Sequence, residues 1–108
     1  MRDIPESDWK LFRTVREAAL DRYCAGVLEE SAAIIADERA THHERYLRLF
    51  RLLGKRDRTL ADTFNNPRRS VARLQLAQMH ALGLVTDIDL ARFSADTRDW
   101  VMRIRGIW

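Results

Sequence analysis

The fold is indicated first by residues 16–39, which read REAALDRYCAGVLEESAAIIADER. Side chains that are mostly apolar recur in this stretch every three or four residues; they are Leu20, Tyr23, Cys24, Val27, Leu28, Ser31, Ile34 and Ile35. This spacing places them along one side of a helix. The stretch therefore predicts a long amphipathic helix.

Helical signals continue on both sides of this stretch. Pro5 suits a first helical turn, so we expect a short separate helix over residues 5–14. Thr41 and Glu44 have the form of a capping box, which predicts a helix that begins there and runs to about residue 64. Tyr46, Leu49, Phe50, Leu53, Leu60, Ala61 and Phe64 supply its expected core-facing side.

The second half of the chain predicts shorter helices. Asn66 and Pro67 suit the cap and first residue of a fourth helix, with Val71 and Leu74 on its core side and a left-handed stop at Gly83. Two last helices are expected at about 87–92 and 95–105, capped by Thr86 and Ser94.

The composition agrees with an all-α class. Only four glycines and two prolines occur in 108 residues, and 46% of residues are hydrophobic. We expect one domain, residues 1–108, folded as a compact bundle of about five to six helices. A single cysteine, Cys24, excludes an internal disulfide, and no apolar run is long enough for a membrane span. A cytoplasmic protein is the expectation.

The sequence carries no sign of catalysis or of a cofactor. It has neither a phosphate-binding glycine loop nor a serine nucleophile motif. His42 and His43 are adjacent on a helix and point about 100° apart, so they cannot easily share one metal ion. We expect no enzyme, no catalytic residues, no cofactor and no metal site.

Charge is distributed unevenly along the chain. Residues 1–40 contain six Lys/Arg against nine Asp/Glu, whereas residues 41–83 contain nine against three. The third predicted helix carries Arg45, Arg48, Arg51, Lys55 and Arg58 at steps of three or four. These five cations lie along one helix face, where they could bind phosphates or an acidic protein surface, or simply be solvated.

Residues 59–85 resemble a helix-turn-helix. The resemblance rests on Leu60-Ala61, Phe64, the turn at Asn65-Asn66, and the apolar pair Val71 and Leu74. We expect Asn65 to adopt the left-handed conformation in that turn. The resemblance implies DNA binding through the start of the second helix, by Arg68, Arg69, Ser70 and Arg73. An ordinary helical hairpin with solvated arginines is the alternative.

Four segments are similar to a group of short, all-helical bacterial proteins of uncharacterised function: IPESDWK (residues 4–10), residues 56–64, RRS (residues 68–70) and residues 83–94. The similarity implies an independently folded chain and no particular activity. The C-terminal segment Trp100–Trp108 is unusually apolar, so it either docks on the core or forms a homodimer contact.

The leading hypothesis from the sequence is a small non-enzymatic regulator that binds nucleic acid through Arg68, Arg69, Ser70 and Arg73, supported by Arg48, Arg51, Lys55 and Arg58. The alternative is a protein-binding module, an adaptor or inhibitor of mobile-element origin, whose basic face meets an acidic partner. The two differ in one respect: a DNA reader exposes those arginines on the first turns of a helix, whereas an adaptor can bury them against its own acidic residues.

Overall fold

The computed structural model describes residues 3–108, and 3–5 precede five α-helices. The helices are α1 (Glu6–Ala36), α2 (His42–Phe64), α3 (Ala72–Ala81), α4 (Asp87–Ala91) and α5 (Ala95–Ile107). No strand occurs in this part of the chain. The all-α prediction is therefore confirmed, with five helices.

The molecule is elongated, with extents of 52 × 26 × 23 Å. Its long dimension comes from α1 and α2, which form an antiparallel hairpin. Near the turn, Arg48 lies 3.3 Å from Asp37. At the other end, Arg16 donates a 2.6 Å hydrogen bond to the carbonyl oxygen of Phe64.

The core lies at one end of this hairpin, where the first turns of α1 meet α3, α4 and α5. Its fully buried side chains include Phe12, Phe64, Leu76, Met79 and Val101. We call residues 3–19 and 61–108 the body, and residues 20–60, which extend away from it, the arm. Among the residues described, no helix has both the length and the apolar character needed to cross a membrane.

Three predicted caps are confirmed. Thr41 and Glu44 form the expected capping box, in which the Glu44 amide donates to the Thr41 hydroxyl and the Thr41 amide donates to the Glu44 carboxylate, both at 3.1 Å. Thr86 and Ser94 cap α4 and α5 through their hydroxyl groups. These helix starts were predictable because capping needs only local sequence.

The predicted break between two N-terminal helices is wrong. Helix α1 runs without interruption through residues 14–16. No glycine or proline interrupts the helix at residues 14–16. Val15 is buried in the core, so its burial stabilises the continuous helix.

The fourth predicted helix begins later than expected. It starts at Ala72 instead of Asn66-Pro67, and residues 65–71 form a connecting loop. The left-handed residue of this loop is Asn66, with φ of 52°, rather than Asn65. Seven connecting residues exceed the three or four of a helix-turn-helix, so that motif is not confirmed. The left-handed stop at Gly83, with φ of 74°, is confirmed.

Candidate interaction surface

The residues predicted to read DNA do not stand together on the first turns of a helix. Arg68, Arg69 and Ser70 lie in the loop before α3, and only Arg73 belongs to that helix. The prediction that all four project from a helix start is therefore wrong. The cause is the loop, which holds Pro67 before the helix instead of within its first turn.

Two of these arginines are engaged by the protein itself. Arg69 donates to the Glu6 carboxylate at 2.8 Å and to the carbonyl oxygen of Ile4 at 3.1 Å. Arg73 lies under the ring of Trp100, 5.5 Å from its centroid, and 3.8 Å from Asp96. The Arg73 side chain is only 8% exposed.

The prediction that Arg73 projects towards a ligand is wrong for a physical reason. Its guanidinium contributes a cation–π contact and a charge beside the buried carboxylate of Asp8. Arg73 therefore connects α3 to α5 within the body. Arg68 and Ser70 are exposed, and Arg68 makes no ion pair within 4 Å with any residue in the described range.

The basic residues of α2 divide into two groups. Arg48 pairs with Asp37 at 3.3 Å and with Glu44 at 3.9 Å, and the partly exposed Arg45 donates to the Ile35 carbonyl. The second group is exposed and has no ion pair within 4 Å among residues 3–108; we call it the basic ribbon, and it comprises Arg51, Lys55 and Arg58.

The side of the arm that carries the interhelical ion pairs is polar. Arg56 forms a bidentate pair with Glu30, with hydrogen bonds of 2.9 and 3.2 Å. This pair lowers the pKa of the Glu30 carboxyl, because the Arg56 guanidinium hydrogen-bonds to its ionised form. The Asp37 carboxyl has a lowered pKa as well, because Arg39 donates hydrogen bonds to it. The Arg56–Glu30 pair joins α1 to α2, whereas the Arg39–Asp37 contact lies within the turn between them.

The other side of the arm is apolar and open to solvent. Its exposed side chains belong to both helices, and we call this surface the apolar front; its members are Cys24, Leu28, Ile35, Tyr46, Phe50 and Leu53. Leu28 and Phe50 are each 68% exposed, which is far from the burial expected of large side chains on a helix–helix seam. A cleft of about 600 Å³ runs along the front, with Arg56 and Asp57 as its charged residues; its other lining residues are Tyr23, Cys24, Val27 and Leu28 of α1 and Phe50, Leu53, Gly54 and Leu60 of α2.

The sequence prediction assigned this surface to the core. Tyr46, Phe50 and Leu53 were expected to be buried, and the structure exposes all three. The expectation was wrong because α3, α4 and α5 cover only the body end of the hairpin. Leu74, also expected in the core, is 41% exposed on α3. Cys24 lies on the front and is partly exposed.

The body does not obstruct the apolar front. Arg22 donates a 2.7 Å hydrogen bond to the carbonyl oxygen of Leu84 and lies 3.6 Å from Asp89, so it marks the side of α1 that faces α4. Leu28 follows six residues later, which turns its side chain about 120° away from that side. The front is therefore open along its length.

The C-terminal segment is docked for part of its length. Val101 is fully buried and Trp100 packs against the core, whereas Ile107 and Trp108 are exposed. No group of three or more His, Cys, Asp or Glu side chains within residues 3–108 is arranged to hold a metal ion. Comparison with known proteins gave no match to any family model, curated protein or solved structure.

Proposed function

We propose that this chain is a non-enzymatic interaction module that binds an α-helical surface of a protein partner through the apolar front. One observation carries the proposal: a two-helix arm exposes large apolar side chains of both helices, Leu28 and Phe50 among them, along a single open side. Contiguous apolar surface of this kind is characteristic of interaction sites, and amphipathic helices bind in such grooves.

Charge around the front favours a particular kind of partner. Within the basic ribbon, Arg58 lies nearest the front, because it follows Gly54 of the cleft by one turn, whereas Lys55 points about 160° away from Leu53. Acidic residues flanking an apolar stripe complement this edge. Arg69 and Arg73, in contrast, already have acidic neighbours in the protein, which favours an adaptor or inhibitor over a DNA reader. A cytoplasmic location belongs to the same proposal, on the strength of the single cysteine and the charged composition.

The test uses a panel of fluorescein-labelled amphipathic helical peptides with one Leu/Phe face and an acidic, basic or mixed polar face. We expect the acidic peptide to bind best in fluorescence anisotropy titrations. Leu28→Glu should weaken its binding at least tenfold, because it places a charge in an apolar site. Ile88→Glu is the matched control, since Ile88 is 80% exposed on α4, away from the front. Equal binding by both variants contradicts the proposal.

A second candidate function is nucleic-acid binding, and the observation that favours it is the basic ribbon. Its three cations are exposed, aligned at steps of three or four residues and without an ion pair within 4 Å in the described chain. Such a row can neutralise phosphates and release counterions.

The salt dependence of binding tests this second function. Anisotropy of labelled duplex and single-stranded DNA and RNA is measured across a salt series with the wild type. Arg51→Ala/Lys55→Ala/Arg58→Ala should abolish binding, whereas Arg69→Ala should leave it unchanged. Absence of binding by the wild type at low salt rejects this candidate.

A further inference from the structure

We propose that the helical partner on the apolar front is a second copy of this chain, packed so that α1 of each copy lies on α2 of the other. This inference rests on the proposed function, because it names the occupant of the same surface. The product is a four-helix bundle formed by two arms, with the two bodies at the same end.

The first reason for a second copy is that it would bury the exposed apolar sides of α1 and α2 in a common core. Two helices in contact share only one seam, and each leaves the rest of its apolar stripe in water. Four-helix bundles solve this by enclosing the apolar sides of all four helices. The second copy offers two antiparallel helices of matching length, which is the shape that the first copy needs.

Charge selects the arrangement of the two arms. Residues 20–38 contain five Asp/Glu against one Lys/Arg, whereas residues 42–60 contain six Lys/Arg against two Asp/Glu. Glu30 and Asp37 already pair with Arg56 and Arg48 of the same chain. The acidic side chains that remain are Asp21, Glu29 and Glu38, and the remaining basic ones include the basic ribbon. A two-fold axis parallel to the arm places the acidic helix of one copy on the basic helix of the other. A two-fold axis across the arm instead opposes acidic with acidic and basic with basic, which is unfavourable.

The parallel axis also brings apolar residues into register. Rotation about this axis does not change the position of a residue along the length of the arm. An α1 residue and an α2 residue that lie side by side in one chain therefore face each other across the interface. Leu28 then lies opposite Leu53 of the second copy, and Ile35 lies opposite Tyr46. Phe50 fills the centre, where large aromatic side chains contribute most to affinity.

The available area is sufficient for a specific dimer. The free part of the arm is about 28 Å long, from about 19 helical residues at 1.5 Å each, and about 20 Å wide, the diameter of two helices. Each copy therefore offers about 560 Å². Two copies bury about 1,100 Å², which exceeds the roughly 1,000 Å² expected of a biological interface.

A charge pair at the edge of the front gives the arrangement a specific signature. Asp21 lies two turns before Leu28, and Arg58 lies one turn after Gly54, which lines the cleft. Both side chains are exposed and neither has an ion pair within 4 Å among the residues described. In the proposed dimer, Asp21 of each copy approaches Arg58 of the other, twice by symmetry.

Sedimentation velocity between about 5 and 200 µM is the first test. The wild type should sediment with twice the chain mass of 12.7 kDa. Leu28→Glu and Phe50→Glu should sediment as single chains with unchanged circular dichroism, while Ile88→Glu remains a dimer. A wild type that is a single chain at every concentration overturns the inference, and so does a dimer that both folded front variants retain.

A charge exchange tests which helices meet and does not depend on the apolar variants. Asp21→Arg and Arg58→Asp should each weaken the dimer about tenfold, because two pairs of roughly 0.7 kcal/mol are lost together. The double variant Asp21→Arg/Arg58→Asp should recover wild-type affinity. Failure of this recovery overturns the α1-on-α2 arrangement.

The peptide panel separates this inference from the function on which it rests. A wild type that stays a single chain but binds the acidic helical peptide through Leu28 refutes self-association and leaves the proposed function standing. A single chain that binds no peptide of the panel refutes both.

Discussion

Asp8 near the start of α1 accepts a 2.6 Å hydrogen bond from the hydroxyl of Ser94, the residue that caps α5. The same carboxylate accepts from the Ser94 amide at 3.0 Å and from the Thr97 hydroxyl at 2.6 Å. Asp8 is buried, so three hydrogen bonds compensate for the loss of water around its charge. The two residues are 86 positions apart and join α1 to the start of α5.

Replacing Asp8 should destabilise the protein most strongly near neutral pH. Burial raises the pKa of the Asp8 carboxyl, but the hydrogen bonds from Ser94 and Thr97 and the charge of Arg73 outweigh it, so the pKa lies below its ordinary value of 3.8. We expect Asp8→Ala to lower the free energy of unfolding in urea by about 2–3 kcal/mol at pH 7, since the neutral donors of Ser94 and Thr97 lose their ionised acceptor.

The pH dependence of this loss has a defined sign. Because the folded-state pKa lies below the unfolded value near 3.8, the stabilisation by Asp8 is fully present above that value. It disappears as the pH falls through the lower folded-state pKa. The difference in unfolding free energy between wild type and Asp8→Ala should therefore decrease below about pH 4. Glu17→Gln, an exposed control on α1, should keep the unfolding free energy of the wild type throughout. A gap that stays constant down to pH 2 contradicts this account.

Arg73 should behave as a structural residue. Arg73→Ala removes its packing under Trp100 and its contact with Asp96, so we expect a loss of about 1–2 kcal/mol and a change in tryptophan fluorescence. Arg68→Ala, at an exposed loop position, should change stability by less than about 0.5 kcal/mol. Urea unfolding followed by fluorescence measures both variants, and an Arg73→Ala variant as stable as Arg68→Ala contradicts the structural role.

The sequence predicted helix starts best where a capping side chain hydrogen-bonds to a backbone amide two or three residues away. Thr41, Thr86 and Ser94 each start a helix as expected. Pro67 failed as a helix start, although it suits that position, because Asn66 takes a left-handed conformation and the loop continues to Val71. The nearby contact of Arg69 with Glu6 joins residues 63 positions apart, which no local pattern reveals.

The candidate site was missed because the sequence does not show which helices pack on the apolar stripes of α1 and α2. The stripe containing Leu28 and the stripe containing Phe50 have the pattern of core-facing helices, and apolar periodicity does not specify what covers a stripe. Whether it is covered within one chain depends on where α3 to α5 pack, and they pack at the body end. One signal was available: the apolar stripes of residues 16–64 are much longer than the short helices that follow can cover.

Two glycines should respond to alanine in opposite directions. Gly83 has φ of 74°, where an alanine side chain is strained, so Gly83→Ala should cost about 1–2 kcal/mol. Gly26 lies inside α1, and a Cβ there meets nothing within 4 Å, so Gly26→Ala should stabilise the protein by about 0.5–1 kcal/mol. Thermal and urea unfolding distinguish the two, and a Gly83→Ala variant that is as stable as the wild type or more stable contradicts the assigned conformation of Gly83.

The C-terminal segment should contribute to folding and not to self-association. Val101 is fully buried, so deletion of residues 100–108 removes part of the core and should leave a chain without cooperative unfolding. Ile107→Glu alters only an exposed side chain and should keep wild-type stability within about 0.5 kcal/mol. Sedimentation of Ile107→Glu then separates the two possible dimer surfaces. An unchanged mass excludes the exposed end of α5 as the contact, whereas conversion to a single chain assigns self-association to this segment instead of the apolar front.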